Sequence, residues 1–68
     1  MLRKQLMNFV KPLEEKGLVI QTYENRKYIS ISNPNTGSYM TQSFSEIEII
    51  KWKFLWNRIY EFFDLKIE

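Results

Sequence analysis

Cysteine and histidine are both absent from the 68 residues. No disulfide can brace the fold, and the common zinc ligand sets cannot be assembled. Glycine and proline number two each, and Gly17 and Gly37 lie too far apart to form a phosphate-cradling loop. No apolar run exceeds three residues, at Leu18 to Ile20 and Phe54 to Trp56. Neither a signal-peptide core nor a membrane span is therefore expected, and the expected location is cytoplasmic. Alanine is also missing, while Ile, Lys and Asn are abundant. That bias suggests an AT-rich genome, such as that of a bacterium of that kind, its phage or a mobile element.

The absences weigh against catalysis. General acid–base and nucleophilic chemistry near neutral pH draws mostly on His, Cys or paired carboxylates. Glu14 and Glu15 are adjacent and point to different faces of a helix, Glu46 and Glu48 also diverge, and the serines have no histidine base. We expect no enzyme, no cofactor, no metal site and no small-molecule substrate.

What is present is an ordinary globular balance, 44% hydrophobic and 26% charged, with aromatics high at 16%. A chain of this length makes a single small domain, residues 1–68. Such a domain buries only roughly 60% of its unfolded surface. With disulfides and zinc unavailable, the remaining remedies are a dense core or a partner subunit. Net charge is +2, unevenly placed: +3 over residues 1–34 and −1 over residues 35–68.

The pattern predicts an α+β domain. Leu2, Leu6, Phe9 and Leu13 recur at helical spacing, so residues 2–16 read as a helix, closed by Gly17 in a left-handed conformation. Pro12 predicts a kink near Lys11 or a break. Residues 18–23 and 27–32 read as strands of a hairpin, with Asn25 supplying a positive φ at its turn. Residues 33–37 read as a turn, and Ser38 to Gln42 can add a third, short strand. A long amphipathic helix is expected over about residues 45–65, packed on the sheet. Ser45 and Glu48 fit a capping box, with Phe44 and Ile49 as its staple; Ser43 and Glu46 fit an alternative box. The expected core is Leu6, Phe9, Leu13, Ile20, Ile29, Ile31, Ile47, Leu55 and Ile59.

Seven of the eleven aromatic residues lie between Phe44 and Phe63. At about 100° per residue, Trp52, Leu55, Trp56, Ile59, Tyr60, Phe62 and Phe63 share one broad face, and Ile47, Ile50 and Phe54 form a second stripe. That apolar sector is wider than one hairpin and one short helix would cover. Trp, Tyr and Phe are enriched in interface cores. The leading expectation is therefore a non-enzymatic regulator or inhibitor acting through protein contacts, as a homodimer or against a protein partner. Its contact residues would be Trp52, Trp56, Tyr60 and Phe63, flanked by Arg58. The polar face of this helix is mostly acidic, which disfavours a membrane surface as partner.

The alternative partner is nucleic acid. One basic set comprises Arg3, Lys4 and Lys11, joined by Arg26 and Lys27 at the hairpin tip; a second comprises Lys51 and Arg58. Tyr23, Tyr28 and Tyr39 would stack on bases if they shared the wet sheet face. The helix through Leu13-Glu14-Glu15-Lys16-Gly17-Leu18-Val19, then Asn25-Arg26-Lys27 at a hairpin tip and Ile29-Ser30-Ile31 returning, resembles the recognition helix and wing of a winged-helix repressor. The resemblance covers residues 2–32, and Pro12 departs from it by falling inside the supposed recognition helix. It implies DNA binding, with Arg3, Lys4, Gln5, Asn8 and Lys11 toward the major groove, Arg26 and Lys27 on the wing, and the aromatic helix serving dimerisation.

Overall fold

A computed structural model describes residues 1–66. The element order is α1 (Arg3–Glu15), β1 (Val19–Tyr23), β2 (Tyr28–Ser32), β3 (Tyr39–Ser43), α2 (Phe44–Ile49) and α3 (Trp52–Phe62). This is the expected α+β class, with the third strand present.

α1 buries Leu6, Phe9 and Leu13, one side chain per turn, and keeps Lys4, Asn8 and Lys11 in water. It continues through Pro12 rather than breaking there. Its end is a Schellman motif: Gly17 takes φ 88°, its N–H donates to the Glu14 carbonyl at 2.9 Å, and the Leu18 N–H donates to the Leu13 carbonyl at 3.3 Å. The motif brings Leu18 back beside Leu13, and both are buried. Leu18 is thus a core residue that strand periodicity did not mark.

The three strands form one antiparallel sheet in the order β1-β2-β3. The β1–β2 connection is a 3-10 turn, Glu24–Arg26, followed by Lys27 at φ 61°. The expected positive φ therefore falls on Lys27, not Asn25. The turn itself uses right-handed residues, and the reversal of direction comes after them, where the Lys27 N–H donates to the Glu24 carbonyl at 3.3 Å. In the β2–β3 turn, Asn33 Oδ1 accepts the Asn35 N–H at 3.0 Å and Gly37 supplies φ 77°.

Register divides the sheet into two faces. Ile29 and Ile31 of β2 stand opposite Thr22 and Ile20 of β1 and Gln42 and Met40 of β3. This face is covered by the helices, and Ile29 and Ile31 are fully buried. Ile20, expected in the core, is only half-buried because β1 is an edge strand. Gln42 is buried on the same face, and its Nε2 has no partner among the described residues. The other face holds Tyr23, Tyr28 and Tyr39 and faces solvent.

The expected long helix is two helices. Ile50 (ψ 144°) and Lys51 (ψ 129°) are extended and separate α2 from α3. In an uninterrupted helix the Ile47 carbonyl would accept from the Lys51 N–H. Here it accepts the Trp52 indole N–H at 2.8 Å, so a side chain satisfies the acceptor that the break releases. A straight rod would point Ile47 well away from Leu55 and Ile59; the break lets all three bury in one core. α3 ends in a second Schellman motif at Phe63, with Asp64 at φ 55° and the Leu65 N–H donating to the Tyr60 carbonyl at 2.8 Å.

The N-cap of α2 is Ser43, not Ser45. Ser43 Oγ accepts the Glu46 N–H at 3.3 Å and donates to Glu46 Oε1 at 3.2 Å. β3 runs through Ser43, which leaves Phe44 as the first helical residue and buries it. The Phe44–Ile49 staple therefore does not form, and Ile49 is exposed. Ser43→Ala should cost about 1 kcal/mol and Ser45→Ala a few tenths, read as the difference between their urea midpoints. Equal costs would place the cap elsewhere.

Candidate functional site

The aromatic segment sorts into three environments once the chain folds. Phe9 is fully buried and lies against both tryptophans, 5.8 Å from Trp52 edge-on and 5.9 Å from Trp56 stacked. The Trp56 indole N–H donates to the Phe9 carbonyl at 2.9 Å. Trp52 and Trp56 are half-buried, and their N–H groups are engaged within the chain. Both join α3 to the rest of the molecule.

Tyr60 and Phe63, expected at a contact surface, are buried in the chain's own core. Two helices roll the broad aromatic face onto α1 and the sheet, which leaves these side chains nothing to present to a partner. Burial, with a smaller contribution from the Glu15 carboxylate, raises the Tyr60 hydroxyl pKa above its ordinary value. The Lys16 ammonium lies 5.6 Å from the centre of the Tyr60 ring.

What remains outside is the flank of α3. Phe54 is 63% exposed and Phe62 is 53% exposed. With Arg58 they recur every four residues, so the three form one stripe along the helix. Arg58 is the one expected contact residue that lies fully on this surface. Its Nη1 stands 3.6 Å from Glu46 Oε2, while the other oxygen of that carboxylate accepts from Ser43. The ion pair is solvent-exposed and adds little stability. Ile49, at the end of α2, is 81% exposed. Helical spacing marked Phe54 and Phe62 as apolar without revealing that they would stay outside; Ile49 was hidden by its expected role in a staple.

The expected nucleic-acid residues divide into two groups. Arg3, Arg26 and Lys27 gather at the hairpin-tip end: Arg3 and Arg26 line one hollow with Tyr23 and Glu24, and Arg3 and Lys27 line another with Leu6 and Phe44. Lys4, Asn8 and Lys11 form a separate stripe on the solvent side of α1, which Glu15 continues. The structure therefore brings together the helix start and the hairpin tip, and leaves the rest of the set apart. Lys51 is exposed at the α2–α3 junction, near one end of the Phe54–Phe62 stripe.

No family model, curated protein or solved structure matches this chain. Among the described residues, no helix is long and apolar enough to cross a membrane.

Proposed function

We propose that the chain is a non-enzymatic binding module acting through protein contacts, with the Phe54–Arg58–Phe62 flank of α3 as its contact surface and a second copy of itself as the first occupant. The observation that carries this reading is the exposure of two phenylalanines, one helical turn to either side of an exposed arginine. Phe and Arg in such an arrangement have the composition of an interface centre.

The surface area supports self-association. A monomeric protein of 8.3 kDa exposes about 4,600 Å²; this chain exposes 5139 Å². Its radius of gyration, 11.2 Å, is close to the roughly 10.9 Å of a compact domain of this length. At about 500 Å² per copy the surplus surface matches the size of a weak, reversible interface.

The stripe is also symmetric about Arg58. An antiparallel pair of α3 helices sets Phe54 of each copy against Phe62 of the other, as a two-fold interface requires. Glu46 accompanies each Arg58 to the axis, so two ion pairs meet there, not two bare cations.

Sedimentation equilibrium between about 1 and 200 μM tests the reading. Wild type should dimerise, and Phe54→Glu/Phe62→Glu should raise Kd at least tenfold with unchanged far-UV circular dichroism. A wild type that stays monomeric throughout, or a double variant that dimerises equally well, overturns it.

A further inference from the structure

We infer that the open face of the sheet is a binding platform for single-stranded nucleic acid, separate from the α3 stripe. Register places Tyr23, Tyr28 and Tyr39 on this one face. Tyr23 and Tyr28 stand directly opposite each other, their rings 5.0 Å apart and nearly parallel. Tyr23 is further held by donating its hydroxyl to Gln21 Oε1 at 2.9 Å. Tyr39 sits beside Ser32, four residues along β2 from Tyr28 and one strand over, and is 69% exposed. That offset is roughly 14 Å from strand rise and spacing, far enough for separate bases to meet the two ends.

The remaining positions on the face are Val19, Gln21, Ser30, Ser32, Thr41 and Ser43. None carries a charge; the carboxylate that reaches the face, Glu46 on Ser43, is paired with Arg58. Cations stand at the tyrosine-pair end: Arg26 and Lys27 on the hairpin tip and Arg3 beside them, against Glu24 and the Arg58-paired Glu46 at Ser43. Flat aromatic rings that accept any base, with cations at the margin for the backbone, are what single strands require. A duplex hides its base faces and would gain only the cations. The exposed Tyr39 ring and the clustered Arg3, Arg26 and Lys27 thus favour the single strand.

The test is fluorescence anisotropy with labelled oligo(dT) and oligo(U) of about 12 nucleotides and a duplex of equal length. At least one single strand should bind more tightly than the duplex, and oligo(dU) beside oligo(U) names the preferred sugar. With three phosphate contacts, affinity should fall roughly 20-fold between about 50 and 200 mM salt. Tyr23→Ala and Tyr39→Ala should each weaken binding roughly 5- to 100-fold; both side chains are exposed, so the fold stands. Arg26→Gln/Lys27→Gln should flatten the salt dependence. Phe54→Glu/Phe62→Glu should still bind, which separates this site from the α3 interface. The inference fails if neither single strand binds at low salt, if the duplex binds as tightly, or if both tyrosine variants bind like wild type.

Discussion

Phe9→Ala should lower the stability of this protein by about 3–5 kcal/mol. A chain of 68 residues has roughly 3–10 kcal/mol in all, so this single truncation removes a third or more of it. The reason lies in what surrounds the ring. Phe9 is fully buried, Trp52 and Trp56 both rest on it, and Trp56 also bonds to its backbone carbonyl. Two stiff indoles, each tethered through its N–H, cannot move together to fill the hole, so most of the cavity cost persists. Urea denaturation followed by far-UV circular dichroism measures the loss. Protein concentration must be held fixed, since dimerisation would raise the apparent stability of both proteins by mass action. A loss under about 1.5 kcal/mol would mean that the seam repacks and that Phe9 is not its keystone.

Two proline substitutions should have opposite effects. Lys51→Pro should stabilise the fold by about 0.4–1 kcal/mol. Lys51 has φ −60°, which proline prefers, and Ile50 before it is already extended at ψ 144°. The helical acceptor for a Lys51 N–H, the Ile47 carbonyl, is taken by the Trp52 indole. Proline there restricts the unfolded chain without costing the folded one a bond. Asn57→Pro lies inside α3, where it removes a helical hydrogen bond and clashes with the preceding turn, at about 3 kcal/mol or more. Thermal melts of the two variants beside wild type make the comparison. If Lys51→Pro costs as much as Asn57→Pro, residues 44–62 form one continuous helix and the junction described here is wrong.

The parts of this fold legible in the sequence are those where one local rule acts alone. α1 shows its buried face in the spacing of Leu6, Phe9 and Leu13, and Gly17 marks its end by chemistry that few other residues supply. β2 shows Ile29 and Ile31 alternating with Tyr28, Ser30 and Ser32. Where two local rules competed, tertiary context decided. Ser43 and Ser45 both satisfy the capping pattern, and the choice fell to Ser43 because β3 needs the residues before it.

The α2–α3 junction was the hardest to read, having no glycine or proline to announce it. Its trace was a second apolar stripe, Ile47, Ile50 and Phe54, beside the broad face of Trp52, Leu55 and Ile59. The break divides that second stripe, with Ile47 buried on α2, Ile50 in the junction and Phe54 exposed on α3. The same ambiguity runs through the expected contact residues. Helical periodicity tells which side chains share a side, not which side is inward. Tyr60 and Phe63 therefore went to the core, while Phe54 and Phe62 stayed outside.

The seam around Phe9 has an optical consequence. Both tryptophans of the chain lie there, their rings 5.9 Å apart, while three of its four tyrosines lie on the far side of the sheet. Indole emission thus reports on the helical layer, where α3 meets α1 and α2, and tyrosine signals report mainly on the strands. The molecule carries its own pair of spectroscopic reporters, one per layer, so a melt followed at both shows whether helices and sheet part company or fall as one.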